Sequence, residues 1–388
     1  MMILTILFLS GASPARPALL TVPMNKFGYS LFQQLSATTP ADNVVISPYS
    51  ITTALLMTAN GAAGETRATM VQSLKLSGLN LKTANLLQRQ LSAGIARNDS
   101  GVILEIANSL WLRQGVVLKS GFRKNMERSY QAQLFTIDFN STDAPARINQ
   151  WVSQQTKNKI RSIVDRLKPE VALLLLNAIY FKGKWQQPFS PELTAEAEFH
   201  LPDGQTQLVK MMHRRGKFQY CAGPGFKGVE LPYGNGNVSM FLLLPDESIG
   251  TAGLLKNMTE ENWATWRAGF ESRSGTVALP RFKIEYEQSL KPALTQLGMG
   301  LAFDLNRADF SAMTSTTRLA IGDVKHKTYI EVNEEGTEAA AVTSVEMVMT
   351  ALPVNTFELV FNRPFLFLIQ DNSSGAILFL GLVCNPGS

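Results

Sequence analysis

Apolar residues recur at three- and four-residue spacing over Thr66 to Leu76 and Leu81 to Ile95, punctuated by Gly64 and Gly78, and both segments predict amphipathic helices. The helical pattern dominates from Lys26 to about Gln133, with another helix near Gly121 to Tyr130. Strands are predicted at Val102 to Trp111 and Leu134 to Phe139, followed by an amphipathic helix from about Ala144 to Ile163. Beyond that helix the chain turns β-rich. Val171 to Phe181 is a continuous apolar run suited to a central strand buried on both faces. Phe199 to Leu244 reads as several short strands separated by LPDG, GPG and GNGN turns. Helices follow at Leu254 to Arg267 and Leu290 to Gly298, and Phe357 to Val383 predicts a strand, turn, strand unit turning at Asp371 to Gly375. No repeat, low-complexity segment or linker interrupts this order, which predicts one α+β domain over residues 21–388.

Composition narrows the class. Apolar residues make 45% of the 388 and charged residues 17%, with Pro and Gly scattered, so no segment has a disordered composition. The net charge of +5 is spread along the chain; its densest cluster, His213, Arg214, Arg215 and Lys217, reads as a solvated hairpin end and not a nucleic-acid site. Cys221 and Cys384 are too few and too far apart for a disulfide framework, whether they pair is open, and no Cys/His spacing suggests a metal. Met2 to Phe8 is an apolar run followed by small residues, which resembles a short secretory signal within residues 1–20 but lacks a basic n-region. That reading predicts a secreted or periplasmic protein; a mis-assigned start or a frayed apolar extension leaves it cytoplasmic. No other segment has membrane-spanning length, and Val171 to Phe181 is too short, so no membrane association is expected.

Catalytic constellations are missing. The chain has no GxSxG, Walker A, HExxH or dinucleotide fingerprint. Of the three His, His200, His213 and His326, only His326 invites a pairing with Ser47 or Ser50 of ISPYS, and no Asp is placed to orient its ring. A buried structural hydrogen bond is the better use of these residues, and the chain is read as neither an enzyme nor a cofactor protein.

Five motifs, NVVISPYSITTALLMTANGAAGETRATM (43–70), LLNAIYFKGKWQQPF (175–189), VELPYGNGNVSMFLLLPDE (229–247), HKTYIEVNEEGTEAAA (326–341) and FNRPFLFLIQDNSSGAILFLGLV (361–383), resemble the serpins in order and spacing, over essentially the whole chain after residue 23. The resemblance implies a serpin fold of about nine helices around three sheets, with an exposed reactive-centre loop at about 334–356. It also implies suicide-substrate inhibition: a protease attacks the loop, and the cut loop inserts into the largest sheet with the acyl-enzyme attached. A monomer that forms a covalent complex with its target protease is the implied partner arrangement.

The loop's own pattern fits that use. A strand buried within a sheet needs side chains acceptable at a period of two. From Thr337 the alternate set is Thr337, Ala339, Ala341, Thr343, Val345 and Met347, all small or apolar, while Glu338 and Glu346 fall in the other set. Helical phasing sets those two carboxylates only about 80° apart with valines flanking them, and gives no sharp apolar stripe. Roughly ten ladder hydrogen bonds at about 1 kcal/mol each and apolar burial must exceed an ordering entropy of about 1 to 2 kcal/mol per residue. A charge on the inward face would cost several kcal/mol more, and that face carries none.

Position by position, the resemblance assigns Glu334, Glu335, Gly336, Thr337, Glu338, Ala339, Ala340 and Ala341 to the hinge, in the inhibitory pattern and without the charged, Pro or bulky residues of non-inhibitory carriers, chaperones or storage proteins. It assigns Ser47, Ser50, Asn177 and His326 to the buried shutter, and Gly183 and Trp185 to the breach. Arg281 becomes the basic partner of Glu334. Counting on from Gly336 by the family's spacing places the scissile bond at Thr350–Ala351, with Met349–Thr350 as runner-up and Met347–Val348 third. No Arg or Lys lies between Lys327 and Arg363. Elastase-like or subtilisin-like serine proteases are therefore the implied targets, with papain-like cysteine proteases beyond them.

Overall fold

The computed structural model describes residues 18–97, 101–167, 171–337 and 356–387. Nine α-helices lie among them: α1 (Ala18–Thr38), α2 (Pro48–Gly61), α3 (Gly64–Ser73), α4 (Leu81–Arg97), α5 (Ser120–Tyr130), α6 (Ala144–Gln155), α7 (Gly250–Asn257), α8 (Glu260–Ala268) and α9 (Lys291–Leu294). Strands, numbered along the chain, form two sheets. The six-stranded sheet holds β2 (Val102–Arg113), β3 (Gln133–Ile137), β4 (Leu173–Lys184), β10 (Phe282–Ser289), β11 (Asp323–Asn333) and β12 (Gly336–Thr337) in the order β10-β11-β12-β4-β2-β3. The nine-stranded sheet holds β1 (Val44–Ile46), β5 (Ala195–His200), β6 (Thr206–Gly223), β7 (Phe226–Tyr233), β8 (Val238–Pro245), β9 (Glu271–Pro280), β13 (Phe357–Val360), β14 (Phe365–Asp371) and β15 (Ile377–Val383).

The 18-residue β6 explains why hydrogen bonding joins two of the three expected sheets. Thr206 to Met211 pair with β5, Met211 to Tyr220 with β9, and the last residues, Gln219 to Gly223, form a hairpin with β7. His213, Arg214, Arg215 and Lys217 therefore sit in mid-strand opposite β9, not at a hairpin end. Arg214 lays its guanidinium 4.5 Å from the Phe218 ring centre and 5.1 Å from that of Phe189. Arg214 owes its place to aromatic packing, with burial lowering its pKa to about 10, while Arg215 and Lys217 stay exposed.

Three helix predictions differ from the structure for local reasons. The helix from Ala144 ends at Gln155, because Lys157 and Asn158 take positive φ (51° and 62°), although Ile160 and Ile163 continue an apolar pattern that is buried in non-helical form. Leu254 to Arg267 is two helices: Met258 is extended, and Thr259 caps α8 by accepting from the Asn262 N–H. Leu290 to Gly298 is helical from Lys291, as α9 followed by a π-helix over Thr295–Met299 with Gly298 at φ 97°. Cys221 and Cys384 are buried free thiols. No helix among the described residues is long and apolar enough to cross a membrane.

α2 is buried nearly all round, which its apolar sequence requires, and Ser47 and Pro48 start it by the usual cap and first-turn chemistry. It runs beneath β4 and β2, so one end of this helix abuts the middle of the six-stranded sheet. The first nine residues of β4 are all buried, as an apolar run covered on both faces must be. One face joins the main core; the other meets α6 through Leu174, Leu176, Ala178 and Tyr180.

Candidate functional site

The seam between β4 and β11 is where the six-stranded sheet changes character. Over Asp323–Tyr329 and Leu174–Tyr180 the two strands pair directly and in parallel. Above that, the two residues of β12 enter between them, antiparallel to both: Gly336 opposite Asn333 and Lys184, Thr337 opposite Val332 and Gly183. The sheet is thus split at one end and closed at the other.

Backbone chemistry explains the residues at the split. Gly336 has φ +145°, and a Cβ on it would lie 2.0 Å from the Gly183 carbonyl oxygen, so only glycine fits. Gly183 packs under Tyr233, whose Cδ1 would stand 2.7 Å from an added Cβ. The Tyr233 ring stacks on Trp185 at 4.4 Å, and its hydroxyl is 2.8 Å from Thr337 Oγ1. Trp185 closes the corner: its indole N–H donates to the Asn333 carbonyl and its backbone N–H to that of Glu335.

Glu334 is nearly buried beside this corner. Arg281 reaches its Oε1 at 2.6 Å through Nη2 and 2.7 Å through Nε, and the Thr194 hydroxyl donates to the same oxygen. Burial pushes the Glu334 carboxyl upward, but the hydrogen bonds from Arg281 and Thr194 outweigh it and hold the pKa below its ordinary value. The Phe189 N–H also donates to the Glu334 carbonyl, so both ends of this residue are tied down.

Below the split, one polar row crosses three strands. His326, Asn177 and Asn108 are successive ladder partners on β11, β4 and β2. The Ser47 N–H donates to His326 Nε2 at 3.3 Å, so that nitrogen accepts and the proton sits on Nδ1, which donates to Asn177 Oδ1. The Asn177 amide in turn donates to Ser50 Oγ and Asn108 Oδ1, and Ser47 Oγ accepts from the Ser50 N–H. His326 is fully buried, and burial drives its pKa down to about 3, so the ring is neutral. A network satisfied this way holds the closed seam to the start of α2.

The structure therefore brings Ser47, Ser50, Asn177 and His326 into one cluster, and Arg281, Gly183, Trp185, Glu334, Glu335, Gly336 and Thr337 into another. Glu338, Ala339, Ala340 and Ala341, the bonds Met347–Val348, Met349–Thr350 and Thr350–Ala351, and the N-terminal apolar run lie outside the described residues. Sequence reasoning missed Asn108, Thr194 and Tyr233. Asn108 had a readable signal, a polar residue in the apolar phase of a strand that runs Ile106, Asn108, Leu110, Leu112. Thr194 and Tyr233 had none, because their roles depend on chain segments far away in sequence.

Comparisons with known proteins agree on what this arrangement is like. A family profile described as "Serpin (serine protease inhibitor)" matches residues 23–386. Leukocyte elastase inhibitor A of Mus musculus is 36% identical over 373 residues, covering 93% of this chain and 97% of that protein. Leukocyte elastase inhibitor of Homo sapiens is 36% identical over 377 residues, covering 93% and 98%. Among solved structures, the thermophilic serpin Tengpin in its native state superposes with a TM-score of 0.89 at 30% identity, covering 97% of this chain and 96% of that one. Human thyroxine-binding globulin complexed with its hormone gives 0.89 at 27%, covering 96% and 100%.

Proposed function

The chain belongs to the serpin family of serine protease inhibitors, and from that premise we propose that it is a suicide-substrate inhibitor of elastase-like or subtilisin-like proteases, with papain-like cysteine proteases as a further class. The protease's serine oxygen bonds to the carbonyl carbon of Thr350, the Thr350–Ala351 amide breaks, and the proton taken from that serine leaves on the Ala351 amine. The acylated strand then inserts between β4 and β11. The chemistry is the protease's; this chain supplies the bait and the sheet.

The observation that carries the reading is β12, a two-residue strand already seated in the seam at the register insertion needs. Continued downward, that register sets Ala339 between Phe181 and Ile330, Ala341 between Ile179 and Thr328, Thr343 between Asn177 and His326, and Val345 between Leu175 and Val324. All eight flanking residues are core-facing and fully or almost fully buried. On the other face Glu338 falls between Lys182 and Glu331, whereas Glu346 falls beside Asp323 and buried Leu174, the least favourable place in the register. Roles follow: Gly336 and Thr337 start the added strand, the Arg281–Glu334 pair anchors the hinge, and the His326 row is the contact that opening must break.

A second reading, a non-inhibitory carrier, is favoured by the fold match to thyroxine-binding globulin. The alanine-rich hinge argues for inhibition, and the names of the elastase-inhibitor relatives point the same way. Nothing in the comparisons supports the export reading of Met2 to Phe8; N-terminal sequencing of the protein from medium and from cell extract decides the compartment. The function itself is tested by incubating the monomer with pancreatic elastase and with subtilisin. Inhibition predicts an SDS-stable complex and a released peptide that begins at Ala351, or at Thr350 for the runner-up bond. Cleavage with no complex favours the carrier reading.

A further inference from the structure

After α6 the chain crosses the outer face of the six-stranded sheet as an irregular strap, residues 156–164. Lys157 Nζ meets Glu105 Oε1 on β2 at 2.8 Å, and Lys159 Nζ stands 5.6 Å from the Tyr329 ring centre on β11. Between these ends, Ile160, Ile163 and Val164 are buried in the same cluster as Tyr180 and Tyr329. Those tyrosines are ladder partners across the β4–β11 seam, with ring centres 6.2 Å apart. The strap therefore lies over the very joint that separates on insertion.

Where the strap meets β10 and β11 there is a cleft of about 430 Å³ whose lining includes Lys159, Arg161, Lys283 and Lys327, with Glu285 as its carboxylate. Lys283 Nζ lies 5.4 Å from the Tyr329 ring that Lys159 also covers, so two ammonium groups crowd one aromatic. The acids nearby are on the strands: Glu285 is 3.7 Å from Lys283, Glu287 2.9 Å from Lys327, and Glu331 accepts from the Tyr329 hydroxyl at 2.6 Å. The strap contributes to the cleft only cations and the polar Asn158 and Ser162. Cations converging from three segments on one concave site suit a ligand with several anionic oxygens.

We propose that this cleft binds a small multivalent oxyanion of the phosphate- or sulfate-ester class, held between Lys159 and Arg161 of the strap and Lys283 and Lys327 of the strands. Occupancy ties the strap to β11 and resists separation of β11 from β4. The second half rests on the insertion mechanism proposed above; the binding itself does not.

The probe is inorganic pyrophosphate, titrated calorimetrically at fixed ionic strength. One saturable site is expected, weakened at least tenfold by Lys159→Gln with Lys283→Gln and unaltered by Lys256→Gln on α7. Arg161→Gln alone, a solvent-exposed change, repeats the test without touching the tyrosine. No saturable binding, or equal loss in the Lys256 control, overturns the site. A sulfated polysaccharide that binds wild type and double variant alike also overturns it, as a diffuse surface attraction. Pyrophosphate should raise amide hydrogen-exchange protection in Ala178–Tyr180 and Lys327–Tyr329, and unchanged protection refutes the pinning. With protease present it should shift wild type, but not the double variant, from complex toward cleaved product. A protein that forms no complex under any condition refutes the inhibitor reading, while calorimetry and exchange still decide this one.

Discussion

Ala341→Arg isolates insertion from native stability. In the register set by β12, residue 341 enters on the core face between Ile179 and Thr328, both with no exposed surface. The Thr328 hydroxyl is already committed to the Val45 carbonyl at 2.9 Å, so a guanidinium there finds no acid and no water. An unpaired buried charge costs several kcal/mol. If half of about 4 kcal/mol is felt at the insertion barrier, insertion slows by about 30-fold, at 1.36 kcal/mol per decade. Deacylation, which belongs to the protease, keeps its rate, so the partition moves from complex to cleaved product. The assay is a gel of inhibitor titrated against a fixed amount of elastase, with the native thermal midpoint measured alongside. Complex yield should collapse while the midpoint stays put; an unchanged yield refutes the register. Thr337→Arg is the less clean change, although its position in the sequence suggests the same effect with an intact native fold. Thr337 is already buried and bonded to Tyr233 before any cleavage, so arginine there should lower native stability as well.

Two further outcomes test the flanking clusters. His326 has a native pKa of about 3 against an ordinary 6.5, so the unfolded state binds the extra proton between those values and stability falls as pH drops through that window. Going from pH 7 to 4.5 should cost about 2.5 kcal/mol from this group alone, read as a fall in denaturation midpoint that His326→Gln flattens; an equal slope in the variant refutes the assignment. Arg281→Ala leaves the nearly buried Glu334 with Thr194 alone, and because Arg281 is itself 46% exposed the loss should be about 1 to 2 kcal/mol. A lower native midpoint with faster spontaneous loss of activity is expected, and no change in either would contradict the anchoring role.

The elements that sequence patterning found are those whose residues state their own environment. The LLLLNAIYF run suited a strand covered on both faces because it offers no polar side for solvent, and its Asn177 was placed by the family resemblance. The period of two after Gly336 pointed to a strand because each side chain there is small enough for a sheet interior. Where patterning failed, a local backbone event overrode it: positive φ at Lys157 and Asn158 ended α6 and converted its expected last turns into the strap. The basic cluster sits in mid-strand and not at a hairpin end; its Arg215 and Lys217 are solvated as charge suggested, whereas Arg214 packs its guanidinium on the faces of Phe189 and Phe218. Thr194 and Tyr233 became visible only when the sheet brought distant segments to Glu334 and Thr337.

Insertion of the cut loop is the central claim, and the thermal midpoint before and after a single cleavage in residues 347–351 tests it most directly. The cleaved protein, with its new strand between β4 and β11, is expected to melt well above the intact one, and Ala341→Arg to lose most of that gain. A cleaved protein that melts where the intact one does would contradict it.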